Sequence, residues 1–134
     1  MSRLHARFEL FVHDHAASIA FYERALGFEV ARRHDNYVSL RHGDVTIGLG
    51  RIDDLPEHDD GPGFTRSRLR DDRGAGVEIV FETDRLDALH DRARASGYPL
   101  AAPLTDRPWG LRDFRIADPD GYYLRVTEFA TDDE

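Results

Sequence analysis

Trp109–Glu128, WGLRDFRIADPDGYYLRVTE, is the stretch whose pattern fixes the fold class. Phe114 and Ile116 alternate with Asp113, Arg115 and Ala117, and Leu124 and Val126 alternate with Tyr123, Arg125 and Thr127. A period of two marks half-buried strands. Between them, Asp118-Pro119-Asp120-Gly121 supplies a tight turn. Proline presets φ, aspartate bonds nearby backbone, and glycine takes the left-handed position. The stretch predicts a hairpin with one apolar face. Its other face carries charge and an aromatic ring.

Upstream, the same alternation recurs. Arg3–His13 reads as a strand with Phe8, Leu10 and Val12 in one row and Arg7, Glu9, Phe11 and His13 in the other. Asp14 is a candidate N-cap for an amphipathic helix over His15–Leu26, with Ile19, Tyr22 and Leu26 on one face and Gly27 as its stop. Phe28-Glu29-Val30 opens a strand, and Tyr37–Arg41 is another. After the turn at His42-Gly43-Asp44, Val45, Ile47 and Leu49 oppose Thr46, Gly48 and Gly50. Ile52–Gly76 is rich in Asp, Gly, Pro and Arg, with Phe64 its only aromatic, and reads as a linker or mobile loop. Gly61-Pro62-Gly63 within it is turn chemistry. Val77–Phe81 is a strand, Asp84 a second cap, and Leu86, Leu89 and Ala93 one face of a second helix that Gly97 ends. Tyr98 begins a short strand before the hairpin, and Thr131–Glu134 is an acidic tail.

These elements form a repeat. The intervals Asp14 to Gly27 and Asp84 to Gly97 have the same length, and each is followed by an aromatic, Phe28 or Tyr98. Two β-α-β-β-β copies are implied: module one over 3–51, a linker over 52–75, and module two over 76–130, all in one domain. One helix covers one face of each sheet, so the other face must be solvated or curl around something.

Composition sets bounds. A 40% hydrophobic fraction is enough for a core, while a net charge of −8 argues against nucleic acid or an anionic membrane as a partner. There are no cysteines, which removes disulfides and thiolate chemistry. No stretch approaches the roughly 20 apolar residues of a membrane span, so no membrane partner is expected and the expected location is the cytoplasm. Every basic residue is arginine, the better fork for planar acceptors.

Three segments carry a resemblance: FELFVHDHAASIAFYERALGFEV (Phe8–Val30), GVEIVFETDRLDALHDRARASGY (Gly76–Tyr98) and PWGLRDFRIADPDGYYLRVTE (Pro108–Glu128). Together they resemble the glyoxalase / bleomycin-resistance protein / extradiol dioxygenase superfamily, also called vicinal oxygen chelate. The resemblance implies an α+β fold of paired β-α-β-β-β modules forming a half-open barrel, usually as a homodimer. Apolar strand rows would face the helices and polar rows would line a cavity. Metal-dependent members place four ligands, mostly His and Glu, on cavity-facing strands. Those positions correspond here to Arg7, Gly48, Glu78 and Arg125. Only Glu78 could bind a metal, and two permanent cations would repel one. A displaced site from His5, Glu9 and Glu78 is the alternative. His13, His15, His42 and His58 flank turns or a helix start, and His90 is expected on the surface.

The inferred cavity row is Arg7, Glu9, Phe11, Tyr37, Ser39, Thr46, Gly48, Gly50, Glu78, Val80, Asp113, Arg115, Tyr123, Arg125 and Thr127. From it Arg7, Glu9, Phe11, Tyr37, Ser39, Gly48, Gly50, Glu78, Arg115, Tyr123 and Arg125 are the candidate ligand-binding residues, joined by Phe64 and Trp109. Gly48 and Gly50 remove bulk where a flat ligand or another backbone could approach. The arginine and glutamate alternation is equally readable as a salt-bridge network, and Trp109 as a packing lid. With the metal pattern lost, no catalytic residue and no cofactor are expected. The favoured reading is a non-catalytic homodimer that confers resistance by sequestering a planar, aromatic, antibiotic-like small molecule. The acidic balance would favour a cationic one. The alternatives are a metal-dependent glyoxalase- or dioxygenase-type enzyme, or a ligand-free oligomerisation or regulatory module.

Overall fold

The computed structural model describes residues 3–57 and 63–130. His58, the turn residues Gly61 and Pro62, and the acidic tail at 131–134 lie outside the described residues. The chain is α+β: strands β1 (Phe8–Val12), β2 (Glu29–His34), β3 (Tyr37–His42) and β4 (Val45–Arg51) with helix α1 (His15–Leu26), then β5 (Glu78–Thr83), β6 (Leu100–Asp106), β7 (Arg112–Ala117) and β8 (Tyr123–Glu128) with helix α2 (Leu86–Ala95). They form two four-stranded open sheets, β1-β4-β3-β2 and β5-β8-β7-β6. In each, the first strand runs parallel to the last and the other pairs are antiparallel. The two halves thus share one topology.

The strands arise where the alternation was read. Leu10 and Val12 are buried while Glu9 is exposed, and Phe114, Ile116, Leu124 and Val126 are buried on the hairpin. α1 is capped as its sequence dictates: Asp14 Oδ1 accepts from Ala17 N–H at 3.0 Å. Gly27 then takes φ +73°, where its N–H reaches the carbonyl of Glu23. A side chain with a Cβ resists that left-handed conformation, so glycine is the natural stop. The helices pack on each other and on the apolar sheet faces, giving one cluster that runs from Leu10 to Val126. Phe28 and Phe81, one from each half, meet at 5.7 Å inside it.

Several expectations are corrected. The first strand begins at Phe8, not Arg3. Asp84 does not cap α2: the N-cap is Arg85, without a side-chain hydrogen bond, and Thr83 Oγ1 accepts from Arg85 N–H at 3.0 Å instead. The β5 threonine reaches the first free donor before Asp84 can, so the two helix starts are built differently. The strand expected at Tyr98 is a seven-residue edge strand, β6, whose register shifts around Ala102 and Pro103. Proline is tolerated there because an edge need not donate. His90 is buried, at 8% exposure: Nε2 accepts from Leu104 N–H at 3.2 Å and the ring leans on Phe114.

The 118–121 turn does more than reverse the chain. Asp118 Oδ1 accepts from Asp120 and Tyr122 N–H, both at 2.9 Å, and Oδ2 accepts from the Tyr22 hydroxyl at 2.7 Å. Asp120 accepts from His13 N–H at 3.0 Å and pairs with Arg73 at 2.7 Å. The Tyr122 hydroxyl lies 3.3 Å from Phe11 N and 3.1 Å from Phe11 O. This turn therefore joins the second half to the β1–α1 corner of the first.

The linker is folded back rather than free along its described residues. Ile52–Asp54 and Arg66–Arg68 form 3₁₀ turns, and Ile52 and Thr65 are buried. The Arg66 guanidinium gathers the carbonyls of Ile52, Asp53 and Leu55.

Candidate functional site

The polar face of the first sheet is built over a glycine. Register places Glu9 and Ser39 on either side of Gly48, and Phe11 beside Gly50. Arg7 Nε pairs with Glu9 Oε1 at 3.0 Å, and Arg7 Nη2 donates to the Tyr37 hydroxyl at 2.5 Å. The Tyr37 hydroxyl in turn lies 2.9 Å from both Glu9 oxygens. Burial and then the hydrogen bond to Glu9 push the Tyr37 phenol up from its ordinary value. A Cβ at Gly48 would sit 2.0 Å from Glu9 Oε2 and 2.1 Å from the Tyr37 oxygen. The bulk missing at Gly48 is thus taken up by the chain's own carboxylate and phenol, and that at Gly50 by the Phe11 ring, 3.1 Å from a Cβ there.

Phe64 stacks on Phe11, centroids 4.5 Å apart and planes 14° apart. This brings the linker against β1 and leaves a cleft of about 440 Å³ whose lining includes Arg7, Glu9, Phe11, Phe64, Arg68 and Tyr122. Phe64 is 43% exposed, so one of its faces remains open.

The second sheet carries a chain of alternating charge. Asp113, fully buried, accepts from Arg107 Nε at 2.9 Å and lies 3.4 Å from Arg115 Nε. Arg115 Nη1 lies 3.5 Å from Glu78 Oε2, and Arg125 Nε lies 2.9 Å from Glu78 Oε1. Hydrogen bonding to Asp113 raises the Arg115 pKa further above its ordinary value, so that charge is fixed. Arg115 and Arg125 stand directly opposite on β7 and β8. Like charges so placed destabilise a sheet unless an anion lies between them, and Glu78 supplies one.

The candidate residues therefore fall into groups. Arg7, Glu9, Tyr37, Ser39 and Gly48 gather on one sheet, with Phe11, Gly50 and Phe64 beside them. Glu78, Arg115, Tyr123 and Arg125 gather on the other. Among the described residues no hydrogen bond or ion pair joins the two groups within a chain. Trp109 stands apart in the turn before β7, 51% exposed. That turn is closed by the hydrogen bond from Gly110 N–H to the Arg107 carbonyl, with Gly110 at φ +90°. Arg107 was not legible as a site residue, since it lies outside any alternating run. Its only sequence signal is its place beside the Pro108-Trp109-Gly110 turn.

The four positions that the resemblance equates with metal ligands are Arg7, Gly48, Glu78 and Arg125, and the one carboxylate among them is held between two guanidiniums. A divalent cation there would compete with fixed positive charge for a single ligand, so these residues do not fit one. The displaced set does not assemble within a chain either. The described residues include no group of three or more His, Asp or Glu arranged to hold a metal, and His5 lies exposed beside Arg3, 3.0 Å away. Other histidines serve the fold: His15 Nε2 donates to the Leu49 carbonyl and His42 Nδ1 to that of Leu26, each at 2.9 Å.

The model of the Glyoxalase/Bleomycin resistance protein/Dioxygenase superfamily matches residues 4–126. No curated protein matches the sequence. Among solved structures, TioX from Micromonospora sp. ML1 is similar with a TM-score of 0.74 and 21% identity, over 96% of this chain and 100% of that one. A glyoxalase/bleomycin resistance protein/dioxygenase from Nocardioides gives 0.72 and 23%, over 98% and 87%. Lactoylglutathione lyase from Agrobacterium tumefaciens gives 0.70 and 21%, over 92% of each chain. At these identities the structural likenesses carry the fold alone.

Proposed function

Since the chain belongs to the glyoxalase/bleomycin resistance protein/dioxygenase superfamily, we propose that it works as a binding protein: a cytoplasmic homodimer that sequesters a small planar aromatic molecule and so confers resistance to it. The observation that carries this reading is the pair of arginines, Arg7 and Arg125, at positions where metal-dependent relatives hold ligands, each beside a carboxylate, Glu9 or Glu78. Sequestration needs affinity and no rate enhancement. Arginine and aromatic side chains supply affinity for flat molecules through stacking and forked hydrogen bonds. The half-open Phe11–Phe64 stack beside the 440 Å³ cleft supports an aromatic ligand.

Two measurements on tag-free protein test the reading. Metal content after incubation with Ni²⁺, Zn²⁺, Mn²⁺ and Fe²⁺ is expected to stay far below one ion per chain. Isothermal titration with a panel of planar aromatic compounds is expected to show saturable binding of at least one of them. One bound ion per chain that depends on Glu78 would overturn the proposal in favour of an enzyme.

A further inference from the structure

On the polar face of the second sheet, three arginines have only two carboxylates within ion-pair distance. Arg107, Arg115 and Arg125 share it with two carboxylates, Asp113 and Glu78. Glu82, at the far end of the β5 row, is turned to Ala130 N–H at 3.2 Å and does not enter this chain of charges. A surplus positive charge in a chain of net charge −8 is a local feature, against the overall field.

The surplus has an address. Arg107 and Arg115 spend hydrogen bonds on Asp113, which is fully buried. Arg125 is different. Its Nε lies 2.9 Å from Glu78 Oε1 but without the angle of a hydrogen bond, and it is buried without a hydrogen-bond partner. Its two terminal nitrogens make no hydrogen bond to any described residue, although only 23% of the side chain is exposed. Those terminal nitrogens, unlike Nε, are not buried, so the fork is open to solvent and its donors are free for a bound acceptor. A carboxylate matches such a fork with two parallel hydrogen bonds.

We propose that Arg125, with Arg115 opposite it, is the anchor for a carboxylate on the ligand, so that the molecule bound is a planar aromatic acid rather than a cation. This rests on the binding reading above and reverses the preference that the overall acidity suggests. Glu78 lies between the two guanidiniums, paired with each. Val80, 37% exposed on the same row and paired in register with Arg125, gives the apolar part of the acid a surface next to the fork.

The test uses four probes on the full chain by isothermal titration calorimetry: 2-naphthoate, 2-naphthamide, cyclohexanecarboxylate and acetate. Naphthoate is expected to bind at least about tenfold more tightly than the amide, the usual margin of a charge-assisted hydrogen bond over a neutral one. Arg125→Gln is expected to erase that margin, and Arg125→Lys, which keeps charge and loses the fork, to restore only part of it. Thermal unfolding of both variants within a few degrees of the parent shows that the fold is kept. Equal binding of naphthoate and its amide overturns the inference and leaves the aromatic-binding reading standing. Binding of cyclohexanecarboxylate as tight as naphthoate, lost in Arg125→Gln, keeps the anchor and removes the aromatic requirement. An unchanged preference for the acid in Arg125→Gln overturns the assignment to Arg125, and absence of heat with all four probes overturns both.

Discussion

The Tyr22 hydroxyl donates to Asp118 Oδ2 at 2.7 Å, linking two residues 96 positions apart. Tyr22 is fully buried on α1, and Asp118 is 5% exposed at the end of β7. Burial, together with the neighbouring carboxylate, drives the Tyr22 phenol well above its ordinary value. Burial also raises Asp118, while the hydrogen bond from Tyr22 and the two backbone N–H groups pull it back.

Removing the hydroxyl should therefore be expensive. Tyr22→Phe leaves a buried carboxylate oxygen without its donor, and a loss of about 1–3 kcal/mol is expected in urea unfolding. The pH dependence has a definite sign. An acid whose folded pKa is raised is held without penalty below its unfolded pKa and costs stability as pH rises through the folded one. The substitution deletes a stabiliser of the ionised form, so its cost is expected to be larger at pH 7 than below about pH 4. An equal cost at both would separate the contact from the ionisation.

Gly48→Ala is expected to cost less than about 1 kcal/mol, since the atoms its Cβ would overlap, Glu9 Oε2 and the Tyr37 oxygen, are the far ends of side chains that can swing aside. Glu9→Ala in the same chain clears half of that space. The double variant should be more stable than the sum of the two single losses implies, and thermal unfolding of the four proteins measures the difference.

Glu128 ties β8 to the start of β7 and, through Arg112, to α2. Its Oε1 accepts from Arg112 N–H at 2.8 Å, Oε2 pairs with the guanidinium, and that guanidinium reaches Asp87 at 3.2 Å. The backbone bond first, and then the side-chain bond, hold the Glu128 carboxyl below its usual range. A depressed acid contributes stability that is complete above its unfolded pKa and is lost as pH falls through the folded one. Glu128→Gln is expected to lower stability by a constant amount above about pH 6 and to lose that difference as pH falls through the acid range, which flattens the acid limb of the profile.

Phe64→Ala removes the ring stacked on Phe11. A loss of about 0.5–1.5 kcal/mol beyond the area effect is expected. Limited proteolysis should show faster cleavage of the linker in the variant while the two sheets stay resistant. Unchanged cleavage would mean that Arg66 and its three carbonyls alone hold the segment.

Much of the fold was legible because it is periodic. The hairpin from Arg112 to Glu128 and the helix His15–Leu26 declare their faces and their stops within a few residues. The candidate rows were legible for the same reason, since alternation tells which residues share a face. It does not tell what those residues touch. The space over Gly48 is decided by Glu9 and Tyr37 arriving from two other strands, and the burial of His90 by an amide on β6. Asp84 had the residue type and spacing of a cap, yet a threonine hydroxyl one position earlier took the donor. Asp118 and Asp120 looked like ordinary turn residues because their partners, Tyr22, His13 and Arg73, are far off in sequence.

That same four-residue loop has a bearing on how the chain could be cut and rejoined. Pro119 and Gly121 are exposed, and an exposed tip between two strands is normally where new termini or an inserted domain are accepted. Here the residues alternating with them, Asp118 and Asp120, are the fastening between the two halves. A circular permutant opened at this tip would sever that fastening, whereas one opened at Gly43, where nothing approaches within 4 Å of a Cβ, would leave it whole.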